Sequence, residues 1–330
     1  MDLARLSEYL KKHVDGFRGP MILKKFSGGQ SNPTFLLNAA SGQYVLRCQP
    51  WGKLLKSAHA VDREYRVQKA LAATDVPVAH VYHLCEDTGV VGVKFYLMSY
   101  EAGEIFWDPA LMQIATEKRK AYYDEAIRIL AALHQVNIDA AGLADYGRPG
   151  NYFARQIDIW IRQYRAAETR LIEPMENLIE WLERNLPMDD GSTSLVHGDF
   201  RFDNIVFRSG SPVGQAVLDW ELSTLGHPLA DIAYFCMGLR IPTNTVAFGL
   251  GGLNRAALGV PDEKYIVDRY CELRSIPSIE RWDFYIAFSF FRLASIIQGV
   301  YKRSLDGNAS NQRAGELGNM VEELAVLALG

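Results

Sequence analysis

The spacing of apolar residues changes along the chain near residue 100. Before that point the apolar runs are short, bounded by turn residues and typical of strands, and they cover residues 21–26, 35–38, 44–47 and 91–100. One stretch differs, because residues 58–72 place Val61, Val67 and Leu71 on a single helical face. The pattern predicts a meander of antiparallel strands with one helix.

Long helical patterns replace the strands after about residue 104. They cover residues 121–136, 152–170, 175–186 and 282–301. A second group of short strands and turns, from Ser194 to Leu218, lies among these helices. We therefore predict an α+β fold with two lobes, in which residues 1–100 form a small antiparallel sheet with one key helix and residues 101–330 form a larger, mainly helical lobe. The hinge is predicted at about residues 98–104.

The charge balance argues against two classes of partner. With 35 Lys and Arg against 39 Asp and Glu, the formal net charge is −4, which is not the basic footprint of a nucleic-acid-binding protein. The longest apolar stretch, 284–300, contains Arg292 and Gln298 and falls short of the roughly 20 apolar residues that a membrane-spanning helix needs. We therefore predict neither a nucleic-acid nor a membrane partner, and the oligomeric state stays open.

Cysteine usage and the N-terminal segment favour a cytoplasmic location. The four cysteines, Cys48, Cys85, Cys236 and Cys271, are far apart and form no C-x-x-C pair. Residues 1–17 carry charged side chains among the apolar ones, so they lack the uninterrupted apolar core of a secretory signal. We predict reduced thiols in a cytoplasmic protein.

The strongest chemical signal is the segment His197-Gly-Asp-Phe-Arg-Phe-Asp-Asn204, followed by a strand, a turn and a second strand that ends at Asp219. Phosphoryl transfer needs a carboxylate that orients the attacking hydroxyl, and oxygen ligands for Mg²⁺ at the phosphates. Asp199, Asn204 and Asp219 supply these groups, and a hairpin would return Asn204 and Asp219 to one end of the sheet. The same residue types also serve as ordinary turn and capping residues.

Two further features of the first lobe suit a bound nucleotide. Between two predicted strands lies a glycine- and hydroxyl-rich turn whose backbone N–H groups can approach phosphates, formed by Ser27, Gly28, Gly29, Gln30, Ser31 and Asn32. An ordinary hairpin turn is the alternative for this stretch. Glu64 shares the apolar helical stripe, where a carboxylate needs a cation, and Arg47 at the end of the third strand is the natural candidate.

The segment 197–204 resembles the catalytic loop of the aminoglycoside phosphotransferase and choline kinase superfamily, a branch of the protein-kinase-like fold. The resemblance implies that Asp199 is the catalytic base, that Asn204 and Asp219 bind the Mg²⁺ of Mg²⁺-ATP, and that His197 supports the loop. The downstream Gly226-His-Pro-Leu-Ala-Asp231 resembles the family's G-D-P-x-x-D, with His227 as a departure. By the same resemblance Asp231 braces the catalytic loop.

The resemblance is closer to the phosphotransferase-like domains that are fused to acyl-CoA dehydrogenases. The matching stretches are residues 28–34, 44–47, 151–155, 292–299, 301–303 and 307–310. In kinase folds a strand lysine binds the phosphates and is held by a helix glutamate, and here Arg47 stands in place of that lysine, as is common in this branch. Met98 and Tyr100, at the end of the last strand of the first lobe, are expected to meet adenine at the hinge.

Together these features predict an ATP- and Mg²⁺-dependent phosphotransferase that acts on a hydroxyl of a small molecule, such as a hydroxyacyl-CoA or a hydroxy acid. Arg292 and Arg303 share a face of the last long helix and either line the acceptor cleft or brace a neighbouring helix. The alternatives are a non-catalytic nucleotide-binding module and an aminoglycoside phosphotransferase. A protein kinase is disfavoured, because the segment 220–229 leaves no room for an activation segment.

Overall fold

The computed structural model describes residues 1–26, 32–52, 60–243, 249–306 and 317–330. Within these ranges the strands are β1 (Met21–Lys25), β2 (Thr34–Ala39), β3 (Gly42–Cys48), β4 (Val81–Cys85), β5 (Phe95–Ser99), β6 (Ser194–Val196), β7 (Ile205–Phe207), β8 (Gly214–Val217) and β9 (Thr224–Gly226). The helices in the same ranges are α1 (Leu3–His13), α2 (Val61–Leu71), α3 (Thr116–His134), α4 (Tyr152–Ala167), α5 (Glu173–Arg184), α6 (Leu229–Arg240), α7 (Glu263–Arg274), α8 (Trp282–Leu305) and α9 (Leu317–Leu329). The predicted α+β class is therefore observed.

The chain divides into two compact units. The first contains residues 1–104, 139–143 and 204–223, and the second contains 105–138, 144–203 and 224–330. The segment 204–223 lies within the predicted second lobe, 101–330, but it belongs to the first compact unit. The predicted lobes, 1–100 and 101–330, stay a prediction.

The first unit is built on a five-stranded antiparallel sheet with the order β1-β2-β3-β5-β4. The predicted strands of the meander are found within a few residues of their expected limits. Successive side chains of a strand point to opposite faces, so β3 buries Tyr44, Leu46 and Cys48 in one apolar cluster and Val45 in another. Arg47 lies on the same face of β3 as Val45.

Helix α2 contributes to the second of these clusters through Val61, which packs with Val45, Tyr96 and Met98 of the sheet. Its buried residues include Val61, Glu64, Val67, Gln68 and Leu71, which follow the spacing of one helical face. The sequence pattern therefore predicted the buried face of this helix correctly, including its carboxylate.

The first unit also contains the hairpin of β7 and β8, in which Ile205 pairs with Val217. After β8 the chain enters a short 3-10 helix, Trp220–Leu222. Trp220 is buried, and its indole N–H donates to the Val217 carbonyl at 2.9 Å. This bond closes the turn at the end of the hairpin.

The second unit is organised around α8, which packs against α4, α5, α6 and α9. The helix has 24 residues, more than the apolar stretch 284–300, and among the described residues it is the one helix that is long and apolar enough to cross a membrane. In its most apolar part 72% of the residues are buried inside the structure, a pattern shared by core helices. The absence of a membrane partner stays a prediction.

Candidate active site

Arg47 lies at the centre of a charged cluster in the first unit. In the sheet it stands opposite Thr34 of β2 and Tyr96 of β5, and its side chain is 11% exposed. Its Nε lies 2.6 Å from Glu64 Oε2, and a terminal nitrogen lies 2.7 Å from Asp219 Oδ1. The expected pairing of Arg47 with Glu64 is therefore present, and the same guanidinium also binds Asp219.

Glu64 is held by hydrogen bonds in addition to this ion pair. The Asn32 amide donates to Oε1 at 2.6 Å, and the Tyr96 hydroxyl donates to Oε2 at 3.2 Å. Gln68, one turn further along α2, donates to the Tyr96 hydroxyl at 3.0 Å. The Glu64 carboxylate is 1% exposed, and these donors together with Arg47 supply the partners that a buried charge requires.

Burial and neighbouring charges act in opposite directions on this pair. Burial raises the pKa of Glu64 above its ordinary value, and the opposing effects of Arg47 and the Asn32 amide are smaller. Burial alone would lower the pKa of Arg47, but its interactions with neighbouring groups, chiefly the Glu64 carboxylate, outweigh burial and raise that pKa. Because arginine stays charged in proteins, the carboxylates of the cluster share one permanent cation.

Asp219 follows β8 and has a left-handed backbone, with φ 62° and ψ 63°. This conformation is uncommon outside glycine, although aspartate and asparagine adopt it more often than most residues. It lies where the hairpin turns into the 3-10 helix Trp220–Leu222. The side chain of Asp219 is 37% exposed, so its carboxylate remains accessible from solvent.

The hairpin brings the two predicted magnesium ligands to one end of the β7–β8 pair. Ile205 pairs with Val217, and the Leu218 N–H donates to the Asn204 carbonyl at 2.8 Å, so Asn204 and Asp219 lie just beyond the paired strands. This arrangement is the one that the sequence predicted from the strand, turn and strand. The role of the two residues as magnesium ligands stays a prediction.

Most of the predicted phosphate-binding turn lies outside the described residues, namely Ser27, Gly28, Gly29, Gln30 and Ser31. Asn32 is described, and its buried side chain donates to Glu64, which gives it a part in holding that carboxylate. Met98 pairs with Val45 and is buried, and Tyr100 beyond β5 is partly buried. Contacts of Asn32, Met98 and Tyr100 with a nucleotide stay predictions.

In the second unit a buried carboxylate holds the start of the predicted catalytic loop. The backbone N–H groups of His197 and Gly198 donate to the two oxygens of Asp231 at 2.6 Å and 2.9 Å. Asp231 lies in the first turn of α6 and is 1% exposed. Gly198 has φ +84°, a conformation that glycine adopts without strain. Asp231 therefore makes the direct contact that bracing the loop requires.

His134, at the end of α3, completes the surroundings of Asp231. Its Nε2 lies 3.2 Å from Asp231 Oδ2, and its Nδ1 lies 2.7 Å from the Tyr270 hydroxyl. Burial lowers the pKa of His134 despite the nearby carboxylate, so the imidazole is neutral at pH 7. Burial would raise the pKa of Asp231, but its hydrogen bonds with the His134 side chain and the His197 backbone N–H help to lower that pKa below its ordinary value. Asp231 is thus an ionised carboxylate held by dipoles.

Asp199 follows directly in the same loop. Its N–H donates to His197 Nδ1 at 3.2 Å, and Arg201 Nε lies 3.4 Å from Asp199 Oδ1. Arg201 also donates to Asp203 at 2.9 Å. Burial and the nearby Asp199 carboxylate raise the pKa of Tyr234, so its phenol stays protonated. The Asp199 side chain is 22% exposed, which leaves it accessible to a ligand.

A cavity of about 270 Å³ opens beside this loop. The loop contributes Arg201, Phe202 and Asp203 to its wall. The rest of the wall is formed by Phe106, Trp107, Pro109, Tyr234, Phe235, Met237, Gly238, Leu239, Ile241 and Leu293. The lining is therefore mostly aliphatic and aromatic, and its two charged side chains both come from the loop.

The two arginines that were predicted to meet the acceptor have different surroundings. Arg292 is 7% exposed, and its guanidinium carbon lies 5.2 Å from the ring centre of Tyr234 and 5.7 Å from that of Trp160. Arg303, further along α8, is exposed. Acceptor binding by either arginine stays a prediction at this point.

Several residues of the two clusters were not found from the sequence. Tyr96 lies in a continuous apolar strand, and Tyr234 lies in a helix that is buried almost all round, so neither hydroxyl stands out in the pattern. His134 follows an apolar helix face and contacts Asp231, which is 97 positions away in the chain. Gln68 did carry a signal, because it lies four residues after Glu64 on the buried face of α2.

Comparison with known proteins gives a consistent result. A sequence model of the phosphotransferase enzyme family matches residues 22–264. Acyl-CoA dehydrogenase family member 10 of Mus musculus is 46% identical over 325 residues, which is 97% of this chain and 30% of that protein. The chain spans 30% to 43% of the length of the curated relatives it matches, so it corresponds to one part of them.

Among solved structures, a provisionally assigned aminoglycoside phosphotransferase from Ralstonia eutropha JMP134 is 45% identical, with a TM-score of 0.91 over 99% of this chain and 97% of that one. Spectinomycin phosphotransferase in complex with ADP and spectinomycin is 12% identical, with a TM-score of 0.65 over 100% and 98% of the two chains, which shows likeness of fold alone. These matches confirm the predicted resemblance and the kinase-like α+β fold class.

Proposed function

This chain belongs to the phosphotransferase enzyme family, and from that premise we propose that it transfers the γ-phosphoryl group of ATP to a hydroxyl of a small molecule, with Mg²⁺ as cofactor. The observation that carries the proposal is the double contact of Arg47, which reaches both Glu64 and Asp219. An arginine poised between two carboxylates suits a site that receives phosphates and a metal ion. The ADP bound to spectinomycin phosphotransferase supports a nucleotide as donor.

The residues present fit Mg²⁺. Asp219 and Asn204 offer hard oxygen donors at one end of the hairpin, and Mg²⁺ is usually held by one or two carboxylates together with phosphate and water oxygens. Among the residues that the structure describes, no group of three or more His, Cys, Asp or Glu could hold a metal on its own, so the phosphates would complete the coordination. When bound, Mg²⁺ neutralises negative charge on the phosphates.

Asp199 is the proposed general base. Its carboxylate is accessible and lies 3.4 Å from Arg201 Nε, while the backbone of its loop is fixed by Asp231. In the proposed step the acceptor oxygen bonds to the γ-phosphorus, the bond from that phosphorus to the β–γ bridging oxygen breaks, and ADP leaves. The hydroxyl proton passes to Asp199.

For the acceptor we propose a hydroxylated acyl compound, a hydroxyacyl-CoA or a free hydroxy acid. The cavity beside the loop supports this class, because its aliphatic and aromatic wall suits an acyl chain. The curated relatives, which carry the name acyl-CoA dehydrogenase, link a matching segment to acyl chemistry. A polycationic aminoglycoside would meet Arg201 and a single carboxylate, Asp203, in this wall, which is a poor electrostatic match.

The test is ADP release by the purified chain with ATP, in Mg²⁺ and in EDTA, over matched panels of hydroxyacyl-CoA esters, hydroxy acids and aminoglycosides. We expect Mg²⁺-dependent turnover of the acyl compounds, and a drop in kcat of about 10² to 10⁴-fold in Asp199→Asn. Calorimetry should show ATP affinity unchanged in that variant, which separates catalysis from binding. Turnover confined to aminoglycosides would remove the acyl acceptor, and ATP binding without any turnover would favour the non-catalytic module.

A further inference from the structure

Arg292 is a buried arginine that has no carboxylate partner within the described part of the chain. It is 7% exposed within the second unit, and no ion pair or hydrogen bond joins its guanidinium to any of the described residues. A buried charge that lacks an ionic partner costs free energy, and buried polar groups in native proteins almost always have partners. An arginine in this position on the central helix α8 suits a ligand that presents an oxygen acceptor.

The aromatic contacts of Arg292 do not satisfy its N–H groups. Its guanidinium carbon lies 5.2 Å from the ring centre of Tyr234 and 5.7 Å from that of Trp160, which are cation–π distances. Cation–π contacts use the flat face of the guanidinium, whereas its five N–H donors point outward in its plane. The two rings thus stabilise the cation and leave its hydrogen-bonding edge for an acceptor atom.

A second unused donor lies in the same cluster. The Trp160 indole Nε1–H is buried and has no hydrogen-bond partner among the residues that the structure describes. This observation is independent of Arg292, because an indole N–H is neutral and usually finds a partner when it is buried. The aromatic cluster thus offers two donors that are unpaired within the described part of the chain, and both suit an oxygen acceptor of a ligand.

Tyr234 connects this cluster with the proposed reaction site. Its ring contacts Arg292, the Asp199 carboxylate is close enough to raise the pKa of its phenol, and the residue lines the cavity beside the loop. Leu293, the neighbour of Arg292 on α8, also lines that cavity. A ligand in the cavity would contact Tyr234 and Leu293, and both of these residues adjoin Arg292.

We propose that Arg292 and Trp160 form a subsite for the acyl oxygen of the phosphoryl acceptor, either a carboxylate oxygen or a thioester carbonyl. This inference rests on the proposed function, and it names the group of the acceptor that the enzyme recognises besides its hydroxyl. A guanidinium edge with an adjacent N–H matches the planar, two-oxygen geometry of a carboxylate and also polarises a single carbonyl oxygen. Arg303 is exposed and has no part in this subsite.

Binding is measured first, with ligands that carry no hydroxyl and so cannot be phosphorylated: octanoate, octanoyl-CoA and octan-1-ol. Isothermal calorimetry on the full chain compares wild type with Arg292→Met, Arg292→Lys and Trp160→Phe. Arg162→Met is the matched control, because Arg162 is an exposed arginine on the same helix as Trp160. Octanoate and octanoyl-CoA distinguish a carboxylate from a thioester carbonyl as the recognised group.

We expect wild type to bind at least one of the two acyl ligands more tightly than octan-1-ol. Arg292→Met should weaken that binding about 10- to 100-fold, since a hydrogen bond to a charged group is lost, and Trp160→Phe about 2- to 10-fold. Arg292→Lys should restore part of the loss, because it keeps the charge without the planar fork. Equal affinity of wild type for all three ligands, or unchanged affinity in Arg292→Met, would overturn the proposal.

Turnover provides the second readout. For each variant kcat/KM is measured with a hydroxyacyl acceptor and with the diol of the same carbon-chain length. The ratio of the two values is compared with that of wild type, and this ratio does not depend on the fraction of folded enzyme. Arg292→Met should lower the ratio by the same factor as the binding of the acyl ligand. An unchanged ratio with normal turnover would overturn the subsite and leave the phosphotransferase function intact. Arg292-dependent acyl binding without turnover of any hydroxyl compound would support the subsite while contradicting the proposed function.

Discussion

Two buried carboxylates, one in each unit, are held in opposite ways. Glu64 and Asp231 are both 1% exposed, yet the pKa of Glu64 is raised and that of Asp231 is lowered. Glu64 relies on side chains, chiefly the Arg47 guanidinium at 2.6 Å. Asp231 relies on the backbone N–H groups of His197 and Gly198.

The difference shows which cluster can respond to a ligand. Arg47 contacts both Glu64 and Asp219, and Asp219 is 37% exposed, so a phosphate or a cation can compete for either partner. The Asp231 contacts are made by main-chain groups that a ligand cannot displace without breaking the loop. We therefore expect the proposed binding of Mg²⁺-ATP to rearrange the Arg47 cluster, and we expect the Asp231 cluster to stay fixed and to support the loop that carries Asp199.

The largest expected effect comes from replacing the fixed carboxylate. Asp231→Asn keeps the shape but presents an NH₂ group to one of the two backbone donors and removes the charge that both N–H groups bind. We expect the free energy of unfolding to fall by about 3 kcal/mol, the scale of lost hydrogen bonds to a charged group. Urea denaturation at pH 7 measures this, with the exposed Asp158→Asn as control.

The pH dependence of the unfolding free energy tests whether the two carboxylates are held in opposite ways. The folded-state pKa of Asp231 is depressed, so its stabilising contribution is present above the pKa of an unfolded aspartate and disappears as the pH falls through the lower, folded pKa. The folded pKa of Glu64 is raised, so its contribution declines instead as the pH rises through that value. The difference in unfolding free energy between wild type and Asp231→Asn should therefore change with pH in the opposite direction to the difference between wild type and Glu64→Gln. Parallel slopes would show that the two carboxylates are held alike.

The next prediction concerns the Arg47 cluster. Arg47→Met should weaken Mg²⁺-ATP binding by about 10- to 100-fold, because it removes a charged contact to phosphate. Glu64→Gln should weaken it less, and the double variant should be no worse than Arg47→Met, with a coupling energy of about 1–2 kcal/mol. Calorimetry of ATP with and without Mg²⁺ measures these affinities, and Lys24→Met on an exposed part of β1 is the control. If the two single effects simply add, the pair does not act as a unit.

The sequence predicted the elements that carry strong periodic patterns. The meander of β1 to β3 was predicted from apolar runs broken by turns, and the buried face of α2 from its helical stripe. The hairpin of β7 and β8 was predicted from the turn residues between Asn204 and Asp219. Within both clusters the residues named from the sequence lie in a motif, on an apolar helical stripe or at the end of a predicted strand.

Other features could not be read from a one-dimensional pattern. Helix α6 is buried on nearly every side, so it lacks the amphipathic contrast that marks a surface helix. The contact of His134 with Asp231 and that of Tyr96 with Glu64 join residues that are distant in sequence, and they depend on helix packing and sheet register. Such partners become visible only when the tertiary structure places their polar atoms together.

The smallest expected effect comes from Tyr96, a secondary support of Glu64. Tyr96→Phe removes a hydroxyl that donates to Glu64 Oε2 at 3.2 Å and accepts from Gln68 at 3.0 Å. Burial keeps the pKa of this phenol well above its ordinary value, so the hydroxyl acts as a donor near neutral pH. Because Arg47 and Asn32 still hold Glu64, we expect a loss of only about 0.5–1.5 kcal/mol in unfolding free energy and less than about a threefold change in ATP affinity. Tyr65→Phe is the matched control, since its ring packs edge-on against Tyr96 at 6.2 Å. A tenfold loss of ATP affinity in Tyr96→Phe alone would mean that the hydroxyl, and not Arg47, fixes the glutamate.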